Sequence, residues 1–292
     1  MILDKKLKEI SIVNLIYSDV EYQITPSEEP DFIIINKKAK YSFGVEVTEY
    51  YHNESNARIR NIPNYGSKNA KDVTIQSPPD VDVYVRGITE RIMAKNEKLN
   101  HYDLLPINLI IMDTENFFSN TIYRDEVYNN LFNDDLKRQI IRSGFREIYL
   151  ITEVDWGKQV YIPLKLIYFV AELNLLMQFI DERHPELHKI SEKEFLAIGA
   201  QYFILQGVQE LQYAEIDDKF QIAYSNYAVS LLPDKIFQIK DYYEAHLPEE
   251  FVPVDFVSDV SMIDDNFINS IRLYSKTHTL NFKIGYEVIT CD

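Results

Sequence analysis

A chain of 292 residues is long enough for one large or two modest domains with a real core, and a formal net charge of −16 excludes indiscriminate binding to nucleic-acid phosphates. The single cysteine, Cys291, excludes an internal disulfide framework and a multi-cysteine zinc site. No apolar run approaches a membrane span and the first residues lack a signal-peptide pattern, so a soluble, cytoplasmic protein without a membrane partner is expected.

The charge is uneven. Residues 1–150 carry 19 basic and 23 acidic side chains, whereas 151–292 carry 11 and 23, so any nucleic-acid surface is expected in the first half. The acidic second half fits solubility, a basic partner or repulsion of nucleic acid from the wrong face.

In chain order, residues 5–17 show a helical period through Leu7, Ile10, Val13 or Ile12, and Ile16. Next comes a strand–turn–strand pattern. Pro30-Asp31 precedes the β-branched run Ile33-Ile34-Ile35, Asn36 to Lys40 reads as a turn, and Tyr41 to Val47 is a second strand. If Lys37 to Lys40 is a four-residue loop, Asn36 pairs with Tyr41 and Asp31 falls opposite Glu46. Directly opposed residues share a face with Cβ atoms about 5 Å apart. Two carboxylates that close repel unless a positive group lies between them, and a hard divalent cation with oxygen ligands is a common answer.

Residues 52–82 read as a long polar loop. It holds Arg58, Arg60, Tyr65, Lys68 and Lys71 with no acidic residue from Ser55 to Ala70, a composition suited to a phosphate backbone with Tyr65 stacking on a base or sugar. Residues 85–102 return to a helical period through Ile88, Ile92 and Leu99. Residues 107–112 are a buried strand, 121–142 a helix and 147–151 another buried strand. Apolar residues 163–181 predict a helix, and 191–212 a second with Ser191 and Glu194 as a capping box. Phe220 to Tyr224 predicts a strand. Ser270 to Tyr274 with Leu280 to Tyr286 predicts a last hairpin.

The Pro30-Asp31 and Glu46-Val47-Thr48 segments resemble the motif of the PD-(D/E)xK nuclease superfamily, where Pro-Asp opens one core strand and Glu-x-Lys lies on the next. The order helix, strand, strand, helix, strand, helix, strand is similar to that family's core over about residues 5–152. The resemblance implies an α/β fold, a restriction-endonuclease-like mixed sheet flanked by helices, as a core over 1–156. An acidic α+β region over 157–292 would follow, as a C-terminal elaboration of the same domain or a partner-binding part.

It further implies a metal-dependent nuclease hydrolysing DNA or RNA with Mg²⁺ or Mn²⁺, of the kind that serves bacterial restriction or antiphage defence beside a protein partner or as a homo-oligomer. Asp31 and Glu46 would bind the metal. Glu9 fits the glutamate that family members add from the first helix, and its plain alternative is a rim glutamate pairing with Lys5 or Lys6. The departure is Thr48 where the family usually has lysine, because a hydroxyl cannot supply that positive charge. Lys95, three and seven residues after Ile92 and Ile88, is the candidate replacement, with Lys98 nearer the boundary of that face. The rival expectation is an inactive nuclease-like scaffold that serves as a protein-interaction module. No Gly-rich phosphate loop, Gly-x-Ser-x-Gly elbow or His-Glu-x-x-His motif points to other chemistry.

Overall fold

The structure, a computed structural model, describes residues 2–51, 80–99, 102, 106–115, 117, 124–154, 158–187, 189–216, 219–241, 252–254 and 263–277. The chain divides into two compact units, with the main division between Ile162 and Pro163 and with Ile140–Arg142 also counted in the second.

The first unit is a mixed α/β structure built on a six-stranded sheet whose strands lie in sequence order. They are β1 (Tyr22–Pro26), β2 (Phe32–Asn36), β3 (Ser42–Tyr50), β4 (Ile107–Asp113), β5 (Glu147–Val154) and β6 (Lys158–Pro163). The first three pair antiparallel, and β3, β4 and β5 pair parallel. Parallel neighbours need long crossovers. Helix α2 (Val81–Asn96) lies in the one from β3 to β4, and α3 (Arg124–Leu131) and α4 (Asp134–Arg142) lie in the one from β4 to β5. Central β4 is buried continuously from Ile107 to Ile111, as expected of a strand covered on both faces.

The β2–β3 hairpin has the anticipated register. The Asn36 N–H donates to the Tyr41 carbonyl at 3.0 Å, and Asn36 Oδ1 accepts from the N–H groups of Lys38 and Ala39 at 2.9 and 2.8 Å. The Asn36 side chain therefore closes the turn that its backbone opens. Phe32 faces Val45, so Asp31 is one step beyond the last pair, just outside β2 rather than in it.

The two faces of β3 bury different chemistry. Phe43, Val45 and Val47 join Phe32, Ile34, Ile110, Tyr149 and Ile151 in a core that also holds Ile12, Val13 and Tyr17. Helix α1 (Ile2–Val13) contributes Ile12 and Val13 to it, and Ile10 and Ile16 pack against it, so of the expected face only Leu7, 60% exposed, turns away. The helix stops at Val13, and the stripe that turns inward is Glu9, Ile12 and Val13, spaced three and four residues apart. On the other face, Tyr50 packs edge-on against Tyr84 of α2 with ring centroids 5.1 Å apart. Glu46 and Thr48 share the parity of Tyr50 and so face the same way.

The expected helix over 121–142 is two helices. Phe132 and Asn133 interrupt it, and Asn133 Oδ1 caps the second by accepting from Leu136 N–H at 2.9 Å. Strand β1 was not anticipated.

The second unit contains α5 (Leu164–Arg183), α6 (Glu192–Gln206) and α7 (Asp265–Thr277). Its antiparallel sheet joins β7 (Gln212–Ile216), β8 (Lys219–Tyr224), β9 (Tyr227–Leu231), β10 (Phe237–Asp241) and β11 (Val252–Pro253) in the order β10-β9-β8-β7-β11. The Ser191–Glu194 capping box is present, and the helix ends at Gly207 with φ 97°. Residues 270–274 belong to α7, not to a hairpin. Phe267, Ile268, Ile271 and Tyr274 are buried at helical spacing, and Asp264 caps the start by accepting from Phe267 N–H at 2.8 Å. The hairpin's other half, 280–286, lies outside the described residues. No described helix is long and apolar enough to cross a membrane.

Candidate active site

The hairpin and two helices bring four sequence-selected residues, Glu9, Asp31, Glu46 and Lys95, into one neighbourhood. Asp31 sits where the β2 ladder ends, and its Oδ2 accepts from Val47 N–H at 2.9 Å. The side chain thus takes over a ladder position that the backbone has left, which fixes the carboxylate beside β3. The Asp31 main-chain carbonyl accepts from Ser27 N–H at 2.9 Å, holding the chain's approach to the strand.

Glu46, one residue before Val47, points to the α2 face. Its Oε1 lies 2.5 Å from the Nζ of Lys95, and the Glu46 side chain is only 7% exposed. Lys95 is placed for this by the Ile88–Ile92 face of α2, both fully buried, with Lys95 following on the same side. Gly87 lets the helix approach, since a Cβ there would lie 2.3 Å from Cε2 of Tyr50. Thr48 is half-buried on the same side of β3.

On α1, Glu9 contacts two lysines of its own helix. Lys5 Nζ is 3.3 Å from Oε1 and Lys6 Nζ is 3.4 Å from Oε2. Lys6 also reaches Asp31, at 3.4 Å from Oδ1 and 3.3 Å from the main-chain carbonyl. The rim-pairing alternative for Glu9 is therefore present, but the carboxylate is buried, and its Oε2 accepts no hydrogen bond. The Lys5 ammonium is held above its ordinary range by its bond to Glu9 and by that carboxylate's charge, with Asp31 and Glu46 adding to the effect.

Tyr102 belongs to the same cluster and was not singled out from sequence. Burial, the charge of Glu46 and a hydrogen bond to Glu46 push its phenol up, with further contributions from Asp31 and Glu29. Only its position after the Lys95 helix hinted at this. Lys6 was legible as a partner of Glu9 but not of Asp31, because that contact spans 25 residues.

The arrangement is three carboxylates interleaved with ammonium groups. Among the described residues, no three His, Cys, Asp or Glu side chains are grouped closely enough to hold a metal ion, and the carboxylates are engaged by lysines instead. Glu49, on the opposite parity of β3, pairs with Lys8 at 2.5 Å and accepts from the Tyr51 hydroxyl, apart from this cluster. Arg58, Arg60, Tyr65, Lys68 and Lys71 lie outside the described residues. No protein-family model, curated protein or solved structure matches the chain.

Proposed function

We propose that the chain is a metal-dependent nuclease of the PD-(D/E)xK type, with a restriction-endonuclease-like core and Lys95 in the role that the strand lysine usually has. The observation that carries this reading is the contact between Lys95 Nζ and Glu46 Oε1, because a cation from α2 stands beside the strand glutamate where Thr48 supplies none.

The oxygen donors are of the kind a hard cation takes, although their present spacing does not gather them around one point. Glu9, Asp31 and Glu46 offer only oxygen, and Glu9 Oε2 is buried without a hydrogen bond, with the Lys6 ammonium 3.4 Å away. A bound Mg²⁺ or Mn²⁺ would make a nearby water more acidic and neutralise charge developing at phosphorus. Asp31, locked by Val47 N–H, and Glu46 would hold it, with Glu9 completing the set. Lys95, freed in part from Glu46 by the added charge, would donate to a non-bridging phosphate oxygen, and Tyr102 would hold Glu46 in place.

Substrate would be DNA or RNA, approached with help from Arg58, Arg60, Tyr65, Lys68 and Lys71. A role in restriction or antiphage defence, with a protein partner or a second copy, follows from the same resemblance.

A second reading has its own support. Lysines already pair with all three carboxylates and Thr48 replaces the strand lysine, as suits an inactive scaffold used for protein interaction. Thermal unfolding with and without Mn²⁺ separates the two. The nuclease reading expects a rise in Tm that Asp31→Ala removes; an unchanged Tm in the parent, with no cleavage of plasmid or single strands, supports the scaffold.

A further inference from the structure

In the second unit, the end of α5, the start of α6 and the turn between β9 and β10 border a cavity of about 150 Å³. Its wall is apolar. Met177 and Ile180 come from α5, Phe195 from α6, and Leu231 and Leu232 from the end of β9. A void of that size among aliphatic and aromatic side chains takes a benzene-sized group. The charged lining residues, Asp181, Glu192 and Lys235, are exposed to water and so mark the mouth.

The mouth is strapped. Lys235 closes the turn by donating its N–H to the Leu232 carbonyl at 2.9 Å, and Leu232 N–H donates to the Ile236 carbonyl at 2.9 Å. Its φ is 61°, a conformation that favours glycine. Lysine brings what glycine lacks: its ammonium reaches α5 and lies 2.9 Å from each oxygen of Asp181. The turn is thereby tied to α5 across the cavity, which fixes the spacing of the two walls.

We infer that this cavity binds a small arylalkylamine, a benzene-sized ring with an ammonium on a short alkyl chain. The ring fills the apolar space, where Phe195 offers an aromatic partner. Charge at the mouth selects the head group. Two carboxylates, Asp181 and Glu192, stand against the one ammonium of Lys235, which leaves one negative charge over. Lys235 is committed to Asp181, whereas Glu192, the first residue of α6, has no hydrogen bond or ion pair among the described residues. A ligand ammonium completes that balance, and a ligand carboxylate meets an excess of like charge. The surrounding sequence acts in the same sense, since residues 151–292 carry 11 basic and 23 acidic side chains and attract cations. The site shares no residue with the Glu46–Lys95 cluster and stands apart from the nuclease reading.

The test is methyl-detected NMR of the full chain, titrated at neutral pH with 2-phenylethylamine, its uncharged counterpart 2-phenylethanol and its anionic counterpart 3-phenylpropionate. Saturable shifts are expected at the Met177, Ile180, Leu231 and Leu232 methyls with the amine, whose affinity should exceed that of 3-phenylpropionate by about fivefold or more. Glu192→Gln, an exposed change that leaves the wall intact, is expected to weaken the amine by about two- to fivefold and to leave 2-phenylethanol unchanged. Met177→Phe, which fills the cavity, should abolish the shifts with all three. No saturable shift at these methyls in wild type overturns the site. Equal or tighter binding of 3-phenylpropionate, or an amine affinity that Glu192→Gln does not lower, overturns the choice of an amine. Amine binding that survives undiminished in a folded Met177→Phe lies elsewhere and overturns the proposal as well.

Discussion

Glu46 and Lys95 carry their charges into a place where water reaches neither well. Replacing Lys95 by Met keeps the stem and removes the charge, leaving Glu46 without its cation. The expected cost is about 1–3 kcal/mol of stability by urea unfolding, since the pair is only partly exposed. Pairing Lys95→Met with Glu46→Gln should cost less than the two changes summed, because the second removes the charge that the first stranded. Asp113 is a different kind of buried acid. Burial pushes its carboxyl up, against the pull of N–H bonds from Glu115 at 2.9 Å and Phe117 at 3.1 Å and the Thr152 hydroxyl at 2.9 Å. A carboxyl raised on folding binds its proton more tightly in the native state. Its contribution is then full below the unfolded value of about 3.9 and is lost as pH rises through the folded one. The stability of wild type minus that of Asp113→Asn should therefore fall from pH 4 to pH 7 in urea titrations; a difference that rises would show the carboxyl is not raised.

Two close approaches decide how the elements around the site sit. A Cβ at Gly44 would fall 2.4 Å from Ile107 Cδ1 and 2.6 Å from Pro30 Cγ, so the residues before Asp31 and the start of β4 both lean on that bare backbone. Gly44→Ala should destabilise by about 1–3 kcal/mol and loosen Asp31. Gly87→Ala should push α2 away from Tyr50 and carry Lys95 with it, lowering activity more than stability. The hairpin was legible because its signals are local: three successive isoleucines, an asparagine that closes its own turn, and a register countable from that turn. Strand β4 was legible from its unbroken apolar run. What escaped depended on partners far along the chain. Strand β1, Tyr-Gln-Ile-Thr-Pro, does alternate, but it is five residues long, ends in proline and lies at the sheet edge with none of its residues fully buried, so its signal is weak. Leu7 kept the period of a core residue, but the stripe of α1 that turns inward is Glu9, Ile12 and Val13, which leaves Leu7 exposed. The 270–274 stretch alternates like a strand, and only the wider window with Phe267 and Ile268 shows the helical face. Tyr102, and Lys6 in its contact with Asp31, entered the site through contacts with no trace in local spacing.

At the scale of the molecule, a net charge of −16 disfavours nucleic acid, so on the nuclease reading affinity would have to come from a restricted positive region. Removing Arg58, Arg60, Lys68 and Lys71 together should weaken DNA and RNA binding and flatten its dependence on salt, while leaving the Mn²⁺-induced rise in Tm unchanged. A lost Tm response would mean that the segment supports the fold rather than the substrate. The most direct measurement is cleavage of plasmid DNA, single-stranded DNA and RNA by the wild-type chain and by Lys95→Ala, each with Mg²⁺, Mn²⁺ and excess EDTA. The account predicts metal-dependent cleavage of at least one substrate by wild type, abolished by EDTA and reduced by about 10²-fold or more in Lys95→Ala. Cleavage that persists undiminished in Lys95→Ala would contradict it.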